Sequence, residues 1–171
     1  IIMIDNEMYI MSGCNRWLEI DPVSAVINLK DNTIRAFPYY YLSFPGADNK
    51  AKRSGVEEGL SRCFDGKHFV YSYHFDETIY IASQEHDSIK SVKVKSKYID
   101  KVRMLDDYGN LTLIDMCENP NYGNLLFDKY RNVYYRIAYP ETEIENGVNG
   151  LELLHYGRKR FSIIILDKDF N

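Results

Sequence analysis

One short grammar occurs three times along this chain, and it constrains the fold more than any other feature. An apolar stretch runs into an Asp with turn residues and then into an alternating strand: residues 2–12 around Asp5, 63–73 around Asp65 and 125–137 around Asp128. Aligning the three Asp residues gives spacings of 60 and 63 positions. Self-similarity at such a period marks an architecture assembled from stacked copies of one supersecondary unit. Each Asp stands where its carboxylate can accept hydrogen bonds from the turn that follows, and Asp65-Gly66 is a pair favoured in tight hairpins. Repetition at matched positions favours an architectural role for these residues over a catalytic one.

The unit itself reads as strands. Ile is used 17 times, Tyr 15 and Phe 8, against 6 Ala, and β-branched and aromatic residues suit a pleated, half-buried surface whereas Ala favours helix. In the second copy four strands follow one another, at 60–65, 68–75, 78–83 and 89–96. Four consecutive antiparallel strands make one propeller blade. The first copy continues through 17–21 and 25–37, with a turn at Lys30-Asp31-Asn32-Thr33. The third passes through a long excursion at 140–157 to 161–167, a continuously apolar strand of the kind buried on both faces. The fold expected is therefore all-β: propeller blades of four-stranded antiparallel meanders, about three of them, in one region spanning 1–171. The blades fall at roughly 1–44, 60–105 and 122–171, separated by polar insertions at 45–59 and 106–121, with a further strand expected at 111–115.

The formal net charge of −4 and the short basic clusters at 50–53 and 158–160 argue against nucleic-acid binding. The longest apolar run, 163–166, is far below a membrane span. Both ends read as cut: no targeting segment opens the chain, and the last residues, Asp167 to Asn171, look like a turn leading to a further strand that begins at Phe170.

The stretch from Tyr122-Gly123-Asn124 through Asp128-Lys129-Tyr130-Arg131-Asn132-Val133-Tyr134-Tyr135-Arg136, together with Phe161 to Phe170, resembles an uncharacterised family of exported, often lipid-anchored proteins of Bacteroidetes. The resemblance implies a six-bladed, TolB-like β-propeller in the periplasm or at the cell surface. It carries over no catalytic residue. About three blades stand where six are implied, so either blades of a longer chain are missing or two copies associate as a homodimer to complete a ring.

Candidate chemistry is sparse. His74-Phe75-Asp76-Glu77 and Glu85-His86-Asp87 place His beside carboxylates on turns of the second blade, with polar turn residues in water as the bland reading, and His68 and His155 add no metal spacing. Cys14, Cys63 and Cys117 form no C-x-x-C pair; one disulfide plus one free thiol suits an exported protein, and Cys63 reads as a small buried thiol. In the strand from Val133 to Tyr139, Tyr134, Arg136 and Ala138 share one face. A mid-strand cation among aromatics needs a carboxylate, a stacking partner or a ligand. Arg136, Tyr134, His74 and Asp76 are thus the candidate ligand-binding residues, with a structural role for Arg136 ranked first; if it binds ligand, Arg136→Ala harms binding without unfolding the chain. No cofactor or metal is expected. The reading that follows is an extracytoplasmic binding or scaffold module for a peptide, glycan or protein partner. The alternative is a propeller hydrolase or lyase acting on a sugar or lactone with a divalent cation in its channel.

Overall fold

The computed structural model describes residues 1–12, 22–40, 59–102, 117–144, 152 and 160–171, which form eleven β-strands in three sheets. Sheet 1 holds β1 (Ile2–Ile4), β2 (Glu7–Met11), β3 (Ser24–Asn28) and β4 (Thr33–Ala36). Sheet 2 holds β5 (Leu60–Phe64), β6 (His68–Tyr73), β7 (Thr78–Ser83) and β8 (Ile89–Lys93). Sheet 3 holds β9 (Asn121–Asp128), β10 (Val133–Tyr139) and β11 (Ser162–Leu166). All are antiparallel meanders with their strands in chain order. The fold is all-β, and its sheets are blade-like. The four strands expected across 60–96 are those of sheet 2, and β11 falls within the apolar run at 161–167. The strands expected at 17–21 and 111–115, Cys14 and His155 lie outside the described residues.

Local chemistry explains the turns. Asp65 accepts the backbone N–H groups of Lys67 and His68 on one carboxylate oxygen, at 2.7 and 2.6 Å, while Gly66 takes φ +96°, open to glycine at little cost. Asp128 accepts from Tyr130 and Arg131, and Asn28 from Lys30, and both four-residue loops close on an Asn in the left-handed region, Asn132 and Asn32. Asp5 works through its own backbone, at φ +51°. The strand expected to begin at Phe170 does not: Phe170 sits in the turn at φ +65°, its N–H donating to Asp167 while the Asp167 N–H donates to Asn171. The β7–β8 connection has the same form, with His86 at φ +57° donating to the Ser83 carbonyl. A type I turn followed by a left-handed residue has this pattern.

The core lies between the sheets rather than within them. Alternation along β6 sends Phe69, Tyr71 and Tyr73 toward sheet 1, where they meet Tyr9, Val26 and Phe37, and Val70 toward sheet 3, where it joins Leu125, Tyr134 and Leu166. Sheet 2 is therefore apolar on both faces, and β6 is buried throughout except at His68. Among the described residues, sheets 1 and 3 are covered on one face each. On the other, register aligns Met3, Met8, Ile27 and Ile34 across all four strands of sheet 1, and Leu126, Tyr135 and Ile165 across sheet 3.

Arginines tie the layers. Arg62 on β5 donates to Ser24 Oγ at 2.6 Å and to the Tyr9 carbonyl at 3.2 Å, joining sheet 2 to sheet 1. Ser61 joins β5 to β9, its hydroxyl accepting the Leu125 N–H at 3.0 Å. Close approach at β9 requires Gly123, where a Cβ would lie 2.6 Å from the Tyr139 ring.

Candidate functional site around Arg136

Arg136 lies in the middle of β10 and is fully buried. Its face of the strand, shared with Tyr134 and Ala138, is the covered one, as the alternating burial of β10 shows. The guanidinium crosses from sheet 3 into the end of sheet 2. Its Nε donates to Ser72 Oγ at 2.9 Å, Nη1 to the carbonyls of Val94 and Glu77 at 2.7 and 3.0 Å, and Nη2 to the Asp76 carbonyl at 2.6 Å. The Tyr122 ring lies under it, 3.6 Å from ring centre to guanidinium carbon. Of the three ways to satisfy a mid-strand cation, a carboxylate, a stacking partner or a ligand, the fold uses the stacking partner and adds backbone carbonyls and a hydroxyl. Burial lowers the group to about 10, with Tyr122, Asp76 and Glu77 opposing that shift, so it remains a cation at neutral pH.

Of the other candidate residues, His74 and Asp76 join Arg136 and Tyr134 does not. His74 ends the extended run of β6, its N–H donating to Gly59 and its carbonyl accepting from Tyr122. Burial, then the Arg136 charge, hold its imidazole down at about 4, so it is neutral at pH 7. Asp76 gives the guanidinium its carbonyl, while its carboxylate accepts the Thr78 N–H at 2.9 Å and the Tyr80 hydroxyl at 2.7 Å. Tyr134 lies further along β10, donating to Asp65 at 2.6 Å and stacked on Phe170 with ring centres 4.7 Å apart. Burial pushes Asp65 up, and the bonds from Tyr134, His68 and Lys67 outweigh it, leaving the carboxyl below its usual range.

Beside this knot lies an open cleft of about 510 Å³, between the β6–β7 turn, the end of β8 and residues 100–102. Phe75 and Val102 give it an apolar wall, and Lys93, Lys95 and Lys101 its basic rim. The Lys93 ammonium pairs with Glu77 at 2.9 Å and that of Lys95 donates to the Asp100 carbonyl. Asp76, Glu77 and Asp100 balance the three lysines in charge. The three carbonyls that Arg136 holds come from Asp76 and Glu77 in the β6–β7 turn and from Val94 just after β8, segments at the edge of the cleft, so its wall is fixed from behind.

His86 corrects the reading of 85–87 as turn residues in water. It is 2% exposed. The left-handed φ folds its ring inward, onto Phe37 at 4.3 Å between centres. Its Nδ1 faces the Gln84 carbonyl at 3.1 Å, which can only accept, so Nδ1 carries the proton and Nε2 accepts from the Tyr71 hydroxyl at 2.5 Å. Burial holds it neutral, at about 4. The Cys63 thiol is pushed up to about 12, by burial first and the Asp65 charge second, which makes it a poor nucleophile. Among the described residues no group of three or more His, Cys, Asp or Glu side chains is placed to hold a metal ion. Among those residues, too, no helix is long and apolar enough to cross a membrane.

The family model described as "Domain of unknown function (DUF4221)" matches residues 1–171. The chain belongs to the DUF4221 family. A solved member of that family, from Bacteroides vulgatus, superposes with a TM-score of 0.73 at 18% identity, over 99% of this chain and 49% of that one. At that identity the likeness establishes the fold alone, and this DUF4221 chain spans about half the length of its solved relative. No curated protein matches it.

Proposed function

We propose that this DUF4221 chain is part of an extracytoplasmic, TolB-like β-propeller that acts as a binding module, and that its contact site is the cleft beside Arg136. The observation that carries the reading is the pre-set wall: a buried guanidinium fixes three carbonyls behind a surface with an apolar side and a charge-balanced rim. A site that is already ordered loses little freedom on binding. Apolar wall plus both signs of charge suits a short extended peptide of mixed charge, or a glycan. The extracytoplasmic placement rests on the family resemblance of the 122–136 and 161–170 stretches.

The test is an amide NMR titration with alternating Lys/Glu hexapeptides and with neutral and acidic oligosaccharides. Shifts confined to 75–78, 93–95 and 100–102, and lost in a Phe75→Ser, Lys101→Glu double variant, are expected. No shifts at millimolar probe, or shifts centred elsewhere, overturn the reading; turnover of a sugar or lactone probe replaces it with the enzyme reading.

A further inference from the structure

Strand β8 ends sheet 2, and among the described residues β7 is the strand paired with it. The Ser83 N–H donates to the Ser88 carbonyl at one end of that pair, and the Val94 N–H to the Glu77 carbonyl at the other. Backbone groups alternate in direction along an antiparallel strand. Lys90 and Val92 therefore turn theirs toward β7, while Ile89, Ser91 and Lys93 turn theirs outward. Every position of β8 is exposed except the half-buried Val92. Both faces of sheet 2 are taken by sheets 1 and 3, so this edge is the same whether or not further sheets stack on the outer faces. The edge is also basic: residues 90–101 hold five lysines, at 90, 93, 95, 97 and 101, against Asp100 alone, in a chain of formal net charge −4. Lysines along an edge keep like edges from pairing, and the same charge admits an acidic strand. At its far end the edge meets the cleft, whose rim includes Lys93 and Lys95.

We propose that β8 takes up an extended acidic peptide as a fifth strand of sheet 2, the peptide running on past Lys93 into the cleft. The inference rests on the cleft reading and names the form of its ligand. Strand addition to an exposed edge draws affinity from main-chain hydrogen bonds and specificity from the side chains alongside. The outward groups of Ile89, Ser91 and Lys93 supply the first. For the second, period two puts Lys90 on the face of Val92 and Lys93 on that of Ser91, so the two ammonium groups stand on opposite sides of the edge. A peptide with acidic residues three positions apart meets both, and an apolar residue between them meets Val92. The Lys93 side chain is 71% exposed in its pair with Glu77, and such a pair is weak enough for the ammonium to take a second carboxylate. A glycan offers no ladder of amide groups to the edge, which favours the peptide.

The test is amide NMR of the chain with a blocked Gly-Glu-Val-Thr-Glu-Val-Gly peptide at millimolar concentration. Three controls accompany it: a copy with Lys in place of both Glu, and two copies methylated on alternate backbone nitrogens, one in each phase. The acidic peptide should shift residues 89–95 and slow the exchange of the Ser91 and Lys93 amides, and one methylated phase should abolish both effects. Lys90→Glu, outside the cleft, should weaken the acidic peptide about tenfold and strengthen its Lys copy. Shifts confined to 75–78, 93–95 and 100–102 that both methylated copies keep overturn strand addition and leave the cleft reading standing. Equal affinity for the Glu and Lys peptides overturns the acidic partner. Silence from every peptide overturns strand addition too, and the cleft is then judged by its own titration with mixed-charge peptides and oligosaccharides.

Discussion

Sheet 2 and sheet 3 are both antiparallel meanders rich in aromatic and β-branched residues, yet among the described residues one is enclosed and the other half open. Strand β6 is buried from Phe69 to Tyr73, whereas β10 alternates and β11 exposes Ile163 and Ile165. The difference lies outside the strands. Sheet 2 has a neighbour on each side, Tyr9 and Phe37 on one and Leu125, Tyr134 and Leu166 on the other; among the described residues sheet 3 has such a neighbour on one side. An apolar strand thus states what it can bury, and the stack decides what it does bury. Polar groups follow the same rule: Arg136 and His86 are enclosed because they project into the interlayers on either side of sheet 2.

The largest effect separating the interlayers from the outer faces is expected at Arg136. Arg136→Ala takes the guanidinium away from the Ser72 hydroxyl and the carbonyls of Val94 and Asp76, leaving the Glu77 carbonyl with the Val94 N–H alone, and should cost about 3–5 kcal/mol in urea unfolding. That outcome assigns the guanidinium a structural role, while loss of peptide or glycan binding at unchanged stability assigns it to the ligand. Next comes acid. His86 and His74 titrate near 4 when folded and near 6.5 when unfolded, so the unfolded chain binds more protons between those values. Stability is complete above pH 6.5 and falls as pH drops toward 4, by about 3 kcal/mol from His86. His86→Phe should flatten that slope; an unchanged slope would show that the ring is not held neutral. Below this window the carboxylate losses begin, Asp65 among them, as pH falls through its lowered value.

Cavity variants sharpen the comparison further. Ile79, fully buried on sheet 2, should lose about 2–4 kcal/mol on Ile79→Ala. The same truncation at Ile165, 63% exposed, should change the stability of the single chain by less than about 0.5 kcal/mol. Equal losses at the two positions would mean that the outer face of sheet 3 is already covered within one chain.

Much of the fold was legible because its signals are local. Alternation placed the strands of sheet 2, and Asp65, Asp128 and Lys30-Asp31-Asn32-Thr33 marked turns by chemistry contained within a few residues. Phe170 was misread because an aromatic after a turn looks like a strand start, whereas here it is the left-handed residue of the turn itself. Of the site, the face shared by Tyr134, Arg136 and Ala138 was legible from period two. What satisfies Arg136 was not: Ser72 and Val94 lie 64 and 42 positions away, and a backbone carbonyl leaves no mark on the residue that bears it. Arg62 escaped notice for the same reason, its partners Tyr9 and Ser24 lying 53 and 38 positions back. His86 escaped because a sequence of charged neighbours says nothing of a positive φ.

Native-state hydrogen exchange tests most directly whether enclosure on two faces organises this molecule. The account predicts that amides of β6 and β7 exchange slowest, by whole-chain unfolding alone, ahead of those in β2 and β10. Protection in β2 and β10 that equals or exceeds that of β6 would contradict it.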